Sequence, residues 1–115
     1  MNKKEKPNML YLAVLLTVLL TRIYVILTPY HLRINGAIIH HFWIGVILFG
    51  ISLLISKKYE KTKVVTLGIG IGLIIDEFVY IILGGQEFSQ YWAWPSILGA
   101  VILLIILYIF RKKLV

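Results

Sequence analysis

Four continuous apolar runs, near residues 9–28, 34–55, 64–83 and 94–110, constrain this chain more than any other feature. A helix needs about 20 mostly apolar residues, rising about 1.5 Å each, to cross about 30 Å of hydrocarbon. Each run reaches or approaches that length. The runs are unbroken rather than alternating, so membrane-spanning strands do not fit them. Together they fill most of the 115 residues and leave no room for a water-soluble domain beside them. The expected architecture is all-α and polytopic: one unit over residues 1–115, a bundle of four transmembrane helices.

Composition agrees. The chain is 60% hydrophobic and 15% charged, where a soluble domain carries about 45–50% and about 25%. It has no cysteine, which excludes a disulfide framework, a thiolate metal site and a thiol nucleophile. Between the runs stand breakers. Thr28-Pro29-Tyr30 ends the first helix, and Lys57–Lys63 separates the second from the third. Gly84-Gly85 suits the end of the third. Pro95 suits the first turn of the fourth, where its missing N–H is not needed. Residues 86–94, with Phe88, Tyr91, Trp92 and Trp94, read as an aromatic interfacial segment.

Charge position sets the orientation. The formal net charge is +7, and all 12 Lys and Arg except Arg22 and Arg33 fall in three places. These are the N-terminal tail (Lys3, Lys4, Lys6), the middle loop (Lys57, Lys58, Lys61, Lys63) and the C-terminal tail (Arg111, Lys112, Lys113). Short basic loops stay cytoplasmic. Both termini and the middle loop are therefore expected in the cytoplasm, with the chain in the plasma membrane. Basic residues placed this way explain topology and attraction to anionic lipid. Membrane lipids, and not nucleic acid, are the expected partners. The basic start followed by an apolar run also invites a cleaved leader. The run is too long, Arg22 interrupts its far end and no small-x-small site follows, so it reads as a retained first helix.

Ionisable groups inside a bilayer cost several kcal/mol and are functional hypotheses by default. Here they are Arg22, His40, His41, Asp76 and Glu77. Counted from the outer ends of their helices, all fall roughly 9–11 Å below the outer boundary. Three separate segments thus agree on one layer in the outer half of the bilayer. Neighbouring helical residues point about 100° apart, so neither His40 and His41 nor Asp76 and Glu77 aim at one point together. On the third helix Gly68, Gly72, Asp76 and Tyr80 form one stripe, and Gly70, Leu73, Glu77 and Ile81 the next. On the second, His41, Gly45, Leu48 and Ser52 share a face. On the first, Thr17, Thr21, Tyr24 and Thr28 make a polar stripe with Arg22 at its edge, expected to face the interior. Small residues let membrane helices approach closely. Gly36, Gly45, Gly50, Gly68, Gly70, Gly72 and Gly99 are expected at packing contacts, and such glycine-rich faces are candidates for contact between copies of the chain. Gly68-x-Gly70-x-Gly72 is not a phosphate loop, because it lies within an apolar helix without a preceding strand.

Four chemistries fit the layer. His40, His41, Asp76 and Glu77 supply nitrogen and oxygen ligands suited to a divalent metal, zinc or a first-row transition ion. Arg22 is then the counter-charge, and Tyr24 and Tyr80 are partners that orient the ligands. His31 and Glu87 would stand nearer the outer surface as an entrance. Alternatively the same groups relay protons or ions. An intramembrane lipid-modifying enzyme would use a histidine–carboxylate pair for acid–base work. The plainest reading is structural: Arg22 pairs with Asp76 or Glu77 and the histidines satisfy the remaining acceptors. The metal site is the preferred expectation, with His41 and Asp76 as leading ligands. Formally, one Arg against two carboxylates leaves the layer negative, which a cation would correct.

The pattern His40-His41-Phe42-Trp43-x-Gly45, then Gly68-x-Gly70-x-Gly72-Leu73-Ile74-x-Asp76-Glu77-Phe78, then Tyr91-Trp92, resembles a group of small four-span integral membrane proteins of archaea and bacteria. The resemblance covers roughly residues 34–100. It implies a histidine pair on the second helix and an Asp-Glu pair on the third, and it names no reaction.

Overall fold

The computed structural model describes residues 4–27, 32–34, 37–39, 41–82 and 94–115. Four helices account for most of them: α1 (Glu5–Leu27), α2 (His41–Leu54), α3 (Glu60–Ile82) and α4 (Trp94–Leu114). A short antiparallel hairpin, β1 (Leu32–Ile34) with β2 (Ala37–Ile39), precedes α2 in register Leu32↔Ile39, Arg33↔Ile38 and Ile34↔Ala37. Three segments are long and apolar enough to cross a membrane: Glu5–Tyr24, Lys57–Ile82 and Trp94–Leu114. The apolar helix Phe42–Leu54 is shorter.

Local sequence explains the helix ends. Glu5 and Glu60 open α1 and α3, where a carboxylate complements the positive end of the helix dipole. Arg111, Lys112 and Lys113 close α4 with the opposite sign. Between α2 and α3 the Ser56 side chain caps a 3₁₀ turn (Lys57–Tyr59) by accepting from the Lys58 backbone N–H at 3.3 Å. Lys63 Nζ donates to the Ile55 carbonyl at 3.0 Å and so occupies an acceptor at the end of α2.

The second run departs from its expected form. A helix is expected from Ile34, whereas α2 begins at His41 and strands take residues 32–34 and 37–39. Its 14 residues span about 21 Å, less than the hydrocarbon core. Strands prevail there because Ile34, Ile38 and Ile39 are β-branched. The sequence between the two strands, Asn-Gly, is the pair that a tight hairpin turn favours.

α3 is the central helix, with α1 and α4 on one flank and α2 on the other. Glycines permit this on both sides. A Cβ placed on Gly68 would lie 2.5 Å from Ala13 Cβ, and one on Gly72 would lie 2.7 Å from Thr17 Cβ, so these two seat α1. A Cβ on Gly70 would lie 2.8 Å from the Phe49 backbone nitrogen, and one on Gly45 would lie 2.7 Å from the Gly70 carbonyl oxygen, so this pair seats α2. Gly50 differs from expectation. Nothing lies within 4 Å of a Cβ there, so it is no packing contact. Gly36 lies outside the described residues.

Among the described residues the interior is small and the outside is apolar. Val14, Val18, Ile75, Ala100 and Leu107 form the buried cluster where α1, α3 and α4 meet. Leu20, Leu27, Leu54 and Ile82 are exposed, while Ser52, Asp76, Glu77 and Ser96 are buried. That inversion suits a hydrocarbon surround and not water. The longest dimension, 43 Å, matches a bilayer with its headgroups.

The two glycine environments make a paired test. Gly70→Ala forces α2 from α3 and should lower stability by about 1–3 kcal/mol. Gly50→Ala should be neutral or gain up to about 1 kcal/mol from helix propensity. Thermal unfolding in detergent compares the two; equal effects would show that α2 does not pack through Gly70.

Candidate ionic centre between the helices

Each inner stripe of the three-helix flank carries a polar residue at the end far from the Lys57–Lys63 turn. On α1 the buried residues Leu10, Val14 and Val18 recur every four and lead to Arg22. On α3 the stripe Gly68, Gly72, Asp76 and Tyr80 is buried throughout. On α4 Ser96, Ala100 and Leu107 are buried. The spacings bring the three polar ends to one level.

There the Arg22 guanidinium joins the helices. Its Nε donates to Asp76 Oδ1 at 2.7 Å. Its Nη2 donates to the Asp76 carbonyl oxygen at 3.0 Å and to Ser96 Oγ at 3.4 Å. The Asp76 side chain is 0% exposed and that of Arg22 is 12% exposed. One cation therefore binds a carboxylate, a main-chain carbonyl and a hydroxyl on two other helices. Arginine suits this because its planar fork offers several donors in fixed directions. Charge-assisted bonds of this kind are the stronger hydrogen bonds, and in low dielectric they strengthen further.

Glu77 occupies a different face. It is 4% exposed. Gly45 of α2 meets Gly70, Leu73 and Ile74 of α3. Glu77 lies seven, four and three residues beyond these, on the same face of the helix. Since Gly70 meets Leu48 and Phe49, α2 runs antiparallel to α3. One turn back from Gly45, at His41, α2 therefore comes level with Glu77. The adjacent acids thus divide between flanks: Asp76 serves α1 and α4, and Glu77 lies toward α2.

The other expected residues are placed as follows. Tyr80 is buried on the Asp76 stripe, and Tyr24 is 56% exposed on α1. The threonine stripe of α1 borders the interior seam, where the Thr17 side chain meets Gly72 of α3, while Tyr24 at its far end is exposed. Thr17 and Thr21 are half-buried and donate to their own helix, to the Ala13 and Thr17 carbonyls at 2.7 and 2.6 Å. The true seam is the neighbouring Leu10–Arg22 stripe. His31, His40, Glu87, Phe88, Tyr91 and Trp92 lie outside the described residues, as does the His41 side chain. Among the described residues, no three His, Cys, Asp or Glu gather as metal ligands do. Ser96 was not anticipated as part of the centre. Its signal is the small and apolar stripe that it heads, Ser96, Ala100 and Leu107, which its place in the first turn beside Pro95 obscures.

No family model, curated protein or solved structure matches this chain.

The Arg22–Asp76 pair should behave as a unit. Arg22→Met strands a buried carboxylate and should destabilise by about 3–5 kcal/mol. Adding Asp76→Leu removes the stranded charge and should recover much of that loss. A double-mutant cycle on detergent unfolding reads the coupling; additive losses would show that the two side chains do not depend on each other.

Proposed function

We propose that this chain is an integral membrane protein of four spans that holds a divalent metal ion in the outer half of the bilayer. Glu77 is the carboxylate ligand, and His41, at the first position of α2, is the leading nitrogen ligand, with His40 the alternative beside it in sequence. The observation that carries this reading is the division of the two acids. Arg22 engages Asp76, while Glu77 is buried on the face that comes level with His41. Two carboxylates beside one guanidinium leave the layer formally negative, and a bound cation would offset that charge. Imidazole nitrogen with carboxylate oxygen suits zinc or a first-row transition ion. In this reading Asp76 moves from leading ligand to the partner of Arg22, and Tyr80 supports the layer.

α2 makes the second crossing as a short span of about 21 Å, which local thinning of the bilayer accommodates. The basic tails and the turn at Lys57–Lys63 lie in the cytoplasm of a plasma-membrane protein, and the hairpin and ionic layer lie toward the outside. A structural role for the layer is the second reading. The Arg22 bonds to Asp76 and Ser96 favour it, because they join three helices without any ion.

Elemental analysis after zinc or manganese repletion separates the two. The metal reading expects one ion per chain, lost in Glu77→Gln and in His40→Ala with His41→Ala, and kept in Asp76→Asn where that variant folds. Metal-free protein after repletion leaves the structural reading, and pH-driven flux in liposomes would replace both with an ion pathway.

Orientation has its own test, because the chain contains no cysteine. A single cysteine at Asn35 should react with an impermeant maleimide on intact cells. One at Thr62 should react only after the membrane is opened; the reverse pattern overturns the orientation.

A further inference from the structure

The seam between α1 and α3 carries one recess, and the turn that opens α3 carries a second, that neither the ionic layer nor the metal reading uses. The first is an apolar groove of about 320 Å³ along α1 from Met9 to Leu20, walled by Val65 and Ile69 of α3. Ala13 and Thr17 line it at the points where Gly68 and Gly72 draw the two helices together. The Thr17 hydroxyl is turned to the Ala13 carbonyl, which removes the one polar group from that surface. Eleven residues of helix rise about 16 Å, close to the hydrocarbon depth of a single leaflet.

The second recess, about 370 Å³, lies at the N-terminal end of α3 and is lined by Lys58, Tyr59, Glu60, Lys61 and Thr62. Glu60, its one acid, is bound by Lys6 at 2.6 Å. Among the described residues neither Lys58 nor Lys61 forms an ion pair; the Lys58 ammonium sits 5.8 Å from the centre of the Tyr59 ring. Lys61, Val65 and Ile69 recur every four residues, so one stripe of α3 passes from a cation to the wall of the groove.

We propose that this seam binds one anionic phospholipid of the cytoplasmic leaflet, with an acyl chain in the groove and the headgroup phosphate held by Lys58 and Lys61. The proposal rests on the membrane orientation given above and is independent of the metal. Charge complementarity selects the occupant. A zwitterionic lipid fills the groove equally well and gains little from two lysines, whereas each lysine at the surface favours an anionic lipid by about a factor of five.

The test is native mass spectrometry of the full chain in neutral detergent. Phosphatidylglycerol and phosphatidylcholine with the same acyl chains are supplied equally. The wild type should retain one lipid with roughly a thirtyfold preference for phosphatidylglycerol. Lys58→Gln with Lys61→Gln should bring the ratio towards one while a lipid is still retained. Leu16→Trp should fill the groove and lose both lipids; Val65→Phe, on the opposite wall, makes the same test if that variant fails to fold. Equal retention by the wild type, or a preference that survives the double substitution, overturns the proposal, as does a full complement of lipid in the filled groove. A carbonate wash of cell membranes runs beside it: release of the chain would overturn the membrane reading itself, and an embedded chain without lipid preference overturns only this site.

Discussion

The buried bond between Arg22 and Asp76 is the constraint around which the helices are arranged. An ion pair inside an apolar assembly tolerates little misplacement, because loss of one partner leaves the other charged and desolvated. The pair sits at the C-terminal ends of the α1 and α3 stripes, with Ser96 of α4 at the same level. Sliding α1 by one residue along α3 would move the guanidinium about 1.5 Å and turn it about 100° away. Register among three helices is thereby set by one side chain. Apolar packing alone specifies register weakly when the surrounding medium is as apolar as the side chains.

The glycines give that bond its reach. For helices as apolar on the outside as these, association in lipid depends on close van der Waals approach rather than on expulsion of water. Gly68 and Gly72 bring the α1 backbone against α3, and Gly45 with Gly70 does the same for α2. The two seams use different faces of α3, as an even spacing from 68 to 72 on a helix of 3.6 residues per turn requires. The same offset carries forward to the neighbouring acids. Asp76 continues the seam of Gly68 and Gly72, and Glu77 continues that of Gly70. Their division of roles follows from helical geometry and not from their chemistry, which is nearly the same.

Charge is arranged differently at the two ends of the bundle. At the ionic layer a few groups are paired in low dielectric, where each bond counts heavily. At the opposite end lysines and arginines are plentiful and mostly solvated. There Lys6 meets Glu60, and Arg111 bonds the Tyr108 carbonyl at 2.6 Å and stacks on its ring at 4.0 Å. Tyr108 in turn meets Tyr11 edge-on at 5.1 Å. These exposed contacts fasten α1 to α3 and α4 at modest gain. Together the two ends hold the long helices side by side with only a thin apolar cluster between them.

Much of this was legible in the residues themselves. Continuous apolar runs predict helices with apolar exteriors, because hydrophobicity and length act locally along the chain. The Gly68, Gly72, Asp76 and Tyr80 stripe and the face of Gly45, Leu48 and Ser52 follow from the same periodicity. A shared depth for Arg22 and Asp76 follows from counting residues. Three things needed the tertiary structure. Which acid Arg22 takes depends on the rotation of α3 against α1, which residue spacing alone leaves open by about 100°. Ser96 enters only because α4 crosses at that point. The start of the second run forms strands where its apolarity alone predicts helix, because apolarity by itself does not distinguish the two and only the Asn-Gly pair carries the turn signal. Periodicity along one chain defines the faces of each helix; the meeting of those faces is decided by backbone approach, and here the glycines of α3 control it.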